Sequence, residues 1–339
     1  MKRYQSPLLS TLVFVVLAVL TFNVQDYALS QLTQVALTVV ALLGLNLLIG
    51  YNGQTSLGHG AFYAIGAYTT AMLVSKAGMP HLWTIPIAAL VSFGVGIVLG
   101  IPAVRLRGFS LALVTLALAI ALPQLLKHFP ELTGGQLGIA VPRPDGVGGL
   151  TTDQWVYLVT IVVAFAVFLG VRNLTKSRTG LAMISARDNE AAASAMGVPV
   201  ARTRVITFAL SAGLTGLAGS LSVLLTGYVS PDSFGLFLSI NLVAAIVLGG
   251  LGTVGGALIG AVYLTYMPLY ATTISQAAPG IVNGVIIVLF MLFLPDGVVG
   301  FLRSSVRRFR RKPSRARTAP PVSTSASPRA AIPEKETTP

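Results

Sequence analysis

The chain of 339 residues contains no cysteine, which excludes disulfides, thiolate metal sites and cysteine nucleophiles. Charge is nearly as scarce. Asp, Glu, Lys and Arg make up 10% of the residues, whereas a soluble domain of this size needs about a quarter to cover its surface. With 54% hydrophobic residues and a mean hydropathy of +0.80, the solvent for most of this chain is lipid. The histidines, His59, His81 and His128, are too scattered to suggest a metal site. All ten acidic residues lie outside the interiors of the long apolar runs. An ion-coupled carrier needs an intramembrane carboxylate or histidine, and here only His59, at the end of a run, could serve. No GxxxxGK[ST] loop, paired carboxylates, nucleophile elbow or metal-binding helix is present. The composition therefore argues against an enzyme, and any uphill movement must be powered by another subunit.

What is present is a series of apolar runs, each about the 20 residues needed to cross a bilayer. They fall at roughly 7–23, 31–51, 57–75, 82–103, 108–126, 154–171, 205–227, 237–254, 255–273 and 280–301, with GGLGTVGG (249–256) as a turn. The first run reads as an uncleaved span; a cleaved signal peptide is the alternative, since Ala28 and Ser30 are spaced for cleavage. Ten spans put both termini on one side. That side then carries Lys2, Arg3, Arg105, Arg107, six basic residues between Arg172 and Arg204, and eight more between Arg303 and Arg317. Basic residues near spans stay cytoplasmic, so both termini are expected in the cytoplasm. The expected fold is an all-α polytopic membrane protein of about ten helices. A membrane domain, 1–302, includes a cytoplasmic loop, 172–204; a basic tail rich in Pro, Ser, Thr and Ala, 303–339, lacks the composition to build a core and is expected to be disordered, its basic start lying on lipid headgroups. Nucleic acid is not an expected partner.

Small residues recur four apart at Gly252, Gly256 and Gly260, at Gly96 and Gly100, and at Ala212, Gly216 and Ser220, a spacing that predicts close helix packing. GYNGQTSLGHGAFYAIGAY (50–68) is different. Glycines at 50, 53, 58 and 60 alternate with polar residues where an apolar turn would be expected. Irregular backbone at membrane depth is tolerated only beside protein or a water-filled cavity, and it commonly builds a transport path. Tyr51, Asn52, Gln54, Ser56 and His59 are therefore candidates to line or border a path; the alternative is an ordinary cytoplasmic hairpin.

The loop RNLTKSRTGLAMISARDNEAAASAMGVPVARTR (172–204) concentrates charge in a chain that has little. Thr179 is placed to cap one short helix through about Arg187, and Asp188 a second through about Met196. Glu190 suits the positive end of the helix dipole. Gly197 supplies a stop, and Pro199 blocks continuation. The expected product is a terminated knob with a small apolar face (Ala191, Ala192, Ala195, Met196) and a rim of Arg187, Asn189 and Glu190. Such a knob suits a groove on a soluble partner; a plain solvated loop is the alternative.

At this point NEAAASAMGV resembles the coupling loop of ATP-binding-cassette importer permeases, in the variant found in branched-chain amino acid permeases. The resemblance extends through GYNGQTSLGHGAFYAIGAY, LRGFSLALVTLALA, LTGGQLGI and GGLGTVGGALIGA, covers about residues 35–300, and is greatest to the M-type subunit. It implies a bacterial inner-membrane subunit that needs no cofactor. Its implied partners are a related H-type permease, two cytoplasmic ATPases, and an extracytoplasmic binding protein that delivers leucine, isoleucine or valine. It also implies that Arg187, Asp188, Asn189, Glu190, Ala191, Ala192 and Gly197 couple the permease to an ATPase. Permeases for urea or short amides share the glycine-rich motifs and remain an alternative, as does a stand-alone carrier or channel. The basic tail is not part of the family pattern.

The topology has a direct test, made clean by the missing cysteines. In intact cells, Glu190→Cys and Pro320→Cys should both resist an impermeant thiol reagent; ready labelling of position 190 would overturn the orientation.

Overall fold

The computed structural model describes residues 25–106, 108–146 and 148–274, with Phe14, Thr21, Gly284, Val285, Leu289 and residues 297–301. The expected runs 7–23 and 280–301, apart from those few residues, the choice between span and signal peptide at the first, and the stretch 303–339 lie outside the described residues.

Within them the chain is helical. Helix α1 (Asp26–Asn46) continues as a π-helical turn (Leu47–Tyr51), followed by α2 (His59–Ala77), α3 (His81–Ala103), α4 (Phe109–His128) and the single turn α5 (Pro130–Thr133). Then come strand β1 (Ile139–Ala140), α6 (Thr152–Lys176), α7 (Arg178–Asp188), α8 (Glu190–Ala195) and α9 (Val200–Thr226). Strand β2 (Tyr228–Val229), a 3-10 turn (Pro231–Phe234), α10 (Leu236–Gly249) and α11 (Val254–Ile274) complete it. Seven of these helical segments are long and apolar enough to cross a membrane, and α2, more polar, makes an eighth of 19 residues. The eight runs expected between 31 and 273 are thus all helices, and GGLGTVGG turns between α10 and α11.

Helices α1 and α9 form the centre. Their most apolar windows are 78% and 72% buried, against 28% for α4 and α6, which leave apolar side chains such as Leu113, Ile120 and Val162 on the outside. Composition explains the difference. Helix α9 carries Ser211, Ala212, Gly213, Thr215, Gly216, Gly219 and Ser220, all buried, and a helix faced with small residues lets neighbouring backbones approach. On one side α2 closes on it: a Cβ at Gly66 would lie 1.9 Å from the Gly216 carbonyl oxygen, and one at Gly219 would lie 2.0 Å from that of Tyr63. On another side α3 approaches, with Gly96 over Ala209 and Ala212 and with Ser92 over Gly216. The α10–α11 hairpin closes through Gly249 against Gly256 and Gly260 against Ala245. Ser220 joins the α2 contact by sharing a hydrogen bond of 2.6 Å with Thr70.

The connections gather at two ends. At one end β1 pairs antiparallel with β2, Lys127 pairs with Asp232, Arg143 pairs with Asp153, and Lys76 donates to the Glu131 carbonyl. At the other, Arg187 and Arg204 of the 172–204 loop meet the end of α1 and Glu190, and Asn46 meets the α10–α11 turn. These are the two sets of segments that a ten-span count assigns to opposite sides.

The helix contact at Gly66 yields a prediction. Gly66→Ala should cost about 3 kcal/mol or more, because its Cβ would press on backbone rather than on a side chain that can turn away. Gly94→Ala, with open space around it, should cost almost nothing. Thermal unfolding of the purified protein in detergent checks the pair.

Candidate functional site: a broken helix joined to a helical knob

The break between α1 and α2 begins at the π turn, where the Asn52 amide donates to the Leu47 carbonyl at 3.1 Å and the Gln54 amide reaches back to Leu48 at 3.1 Å. From Gly53 to Gly58 no regular structure remains. Every second side chain turns inward: Asn52, Gln54 and Ser56 are buried, Gly53 and Thr55 exposed, and Tyr51 half-buried.

Buried polar side chains hold this backbone. The Leu57 amide donates to Thr115 Oγ1 of α4 at 3.0 Å, the Gly58 amide to Ser56 Oγ at 3.3 Å, and the Gly60 amide to Ser239 Oγ of α10 at 2.9 Å. Beside them a relay crosses the bundle. Ser211 Oγ lies 2.6 Å from the Gly44 carbonyl and must donate its one hydrogen there. His59 Nε2, 2.6 Å from Ser211 Oγ, is therefore the donor of that bond, and Nδ1 accepts from Ser56 Oγ at 3.1 Å. Donor accounting thus fixes the tautomer and leaves both ring nitrogens engaged. Asn52 Nδ2 donates to Gln54 Oε1 at 3.0 Å.

Ser211 lies 11 residues into the 27-residue α9, roughly 16 Å along the helix axis, so His59 sits opposite the middle of that helix, while Gly50 and Gly53 lie at its Arg187 end. The irregular backbone thus runs from the knob end of the bundle inward to that level.

The 172–204 loop forms the expected knob with different caps. Ser177, not Thr179, precedes α7, and its hydroxyl donates back to Leu174 at 2.7 Å instead of capping. Asn189, not Asp188, caps α8: its backbone is extended, and Oδ1 accepts from the Ala192 amide at 3.0 Å. Asp188 is the last residue of α7, and its carboxylate is taken by Arg187 at 2.9 Å. Gly197 ends the unit at φ +83°, with open space where a Cβ would go, so conformation rather than room requires glycine. The Val198 amide closes on Ala193 at 3.0 Å. Ala193 turns inward against Ala186 and Val200. Ala191, Ala192, Ala195 and Met196 face outward, Met196 86% exposed.

The two expected rim charges do not face outward alone. Glu190 makes a two-bond fork with Arg204 of α9, both contacts at 3.2 Å. Arg187 donates from Nη1 to the Gly50 carbonyl at 2.6 Å. Sequence reasoning singled out neither Asn46, Thr115, Ser211 and Ser239 nor Arg204 as a partner. The first four had a signal, being polar residues inside apolar runs. Asn46 is bidentate across the bundle end: it donates to the Thr253 carbonyl at 2.8 Å and accepts from the Gly252 amide at 2.9 Å.

Comparison with known proteins agrees with this architecture. Residues 27–294 match the family described as branched-chain amino acid transport system / permease component. The high-affinity branched-chain amino acid transport system permease protein LivM of Salmonella typhimurium is 30% identical over 311 residues, covering 84% of this chain and 73% of the relative. LivM of Escherichia coli is 31% identical over 294 residues, covering 79% and 69%. LivH of Escherichia coli is 26% identical over 279 residues, covering 76% and 89%. No solved structure matches the chain. Among the described residues, eight membrane-length helices, a break held by buried polar groups and a capped knob between α6 and α9 accompany these matches, and the chain belongs to the branched-chain amino acid permease family as an M-type member.

Proposed function

We propose that the protein is the M-type permease of an ATP-binding-cassette importer, moving branched-chain amino acids handed over by an extracytoplasmic binding protein. An H-type permease completes the membrane part, and two ATPases drive it. The uncovered outer face of α8 carries this reading: Ala191, Ala192, Ala195 and Met196 project from a unit capped at both ends and forked to α9 through Glu190 and Arg204. A small apolar face with none of the described residues over it suits burial in a groove of an ATPase. Arg172, Lys176, Arg178, Arg202 and Arg204 flank it in the sequence, which favours the cytoplasm for this end and for both termini. In this reading Arg187, Asp188, Asn189, Glu190 and Gly197 hold α8 in position, while Ala191 and Ala192 meet the ATPase. Asn52, Gln54, Ser56 and His59 hold the backbone whose exposed members, Gly53 and Thr55 beside Tyr51, border the route.

Met196→Glu tests it, because an 86% exposed side chain can change without disturbing the fold. Placing a charge in the interface should weaken ATPase binding about tenfold and lower leucine uptake in reconstituted vesicles in parallel. Unchanged ATPase binding would overturn the docking face. Uptake of urea but not of leucine, isoleucine or valine by the unsubstituted complex would overturn the substrate.

A further inference from the structure

Arg187 stands at the C-terminal end of α7, two residues before the extended cap of α8, yet its side chain reaches back to the bundle. Nη1 donates to the Gly50 carbonyl at 2.6 Å, and Nε and Nη2 both lie 2.9 Å from Asp188 Oδ1. The guanidinium is thereby held on two edges, a geometry its planar fork favours and a lysine cannot reproduce in full. Gly50 lies in the π turn that ends α1, where backbone carbonyls lack helical partners and a cation is favoured. The stem crosses Gly53: a Cβ there would lie 2.4 Å from Arg187 Cγ.

The acceptor itself is wedged. A Cβ at Gly50 would fall 2.2 Å from Asn46 Oδ1 and 2.4 Å from the Gly252 amide nitrogen, and Asn46 ties that amide and the Thr253 carbonyl to α1. The Gly50 carbonyl therefore cannot shift unless the end of α1 and the α10–α11 turn shift with it. The guanidinium is thus a polar link between the knob and the break. The fork of Glu190 with Arg204 leads instead to α9.

We infer that Arg187 is a positioning residue that transmits displacement of the α7–α8 knob to the broken segment 47–58, through its bond to the Gly50 carbonyl and its stem on Gly53. This rests on the reading of α8 as the site where the ATPases dock. It assigns Arg187 a target inside the permease in place of one on the ATPase.

The test uses the full complex in lipid nanodiscs with spin labels on introduced cysteines, which the chain's lack of cysteine makes specific. One pair is Thr55→Cys with Leu181→Cys; the other is Ala77→Cys with Leu181→Cys. All three positions are exposed, and Leu181 lies on α7, outside the docking face. In the otherwise unsubstituted complex, a non-hydrolysable ATP analogue should change the 77–181 distance and leave 55–181 fixed. With Arg187→Ala, 77–181 should still change, 55–181 should change as well, and leucine moved per ATP hydrolysed should fall about tenfold, within the usual range of coupling between sites. Arg187→Lys keeps a donor for Gly50 and should restore the fixed 55–181 distance. A 55–181 distance that stays fixed in Arg187→Ala would overturn the inference while leaving the docking reading in place. A 77–181 distance that ignores nucleotide in the unsubstituted complex would overturn the docking reading, and the inference with it.

Discussion

Lipid offers no hydrogen bonds, so a break in a membrane helix survives only if protein groups satisfy the backbone it frees. That constraint organises this molecule. Between Tyr51 and His59 the chain leaves the helix and resumes it opposite the middle of α9, and its amides are met by Thr115, Ser56 and Ser239. Each acceptor comes from a different place: α4, the break itself, and α10. The small-residue face of α9 follows from the same need, because the relay from Ser56 through His59 and Ser211 to Gly44 requires α1, α2 and α9 to approach closely. A Cβ at Gly44 would lie 2.9 Å from the Ser211 carbonyl oxygen.

The relay also bears on what powers transport. His59 was the candidate for proton coupling at the end of an apolar run. In the structure both its nitrogens are committed, one as donor to a serine whose own hydrogen is used, the other as acceptor. A proton on Nδ1 would turn that acceptor into a second donor and break the bond from Ser56. His59 is built as a cross-brace between α1, α2 and α9.

Much of this was legible in the sequence, because hydropathy over 20 residues reports directly on lipid contact, and the spans from 31 to 273 could be placed to within a few residues. Small-residue spacing also marked true contacts at Gly96, Gly216, Gly256 and Gly260, since close approach has few alternatives to glycine. The caps were shifted: Asp188 and Asn189 both suit an N-cap, and the choice fell to Asn189 because Arg187 binds the Asp188 carboxylate. The depth of segment 50–58 was not legible, since a glycine-rich polar stretch looks the same on the membrane surface and within it. Nor was the inward turn of Arg187, which depends on Gly50, distant in sequence and brought near only by the fold.

Hydrogen exchange across residues 53–60 in the lipid-embedded complex tests most directly whether the break is pinned. If Thr115, Ser56 and Ser239 hold its amides, peptides covering this stretch should exchange as slowly as the middle of α9, and His59→Ala should release them. Exchange in the unsubstituted protein as fast as in the exposed loop at 148–149 would contradict it and leave the segment a mobile loop.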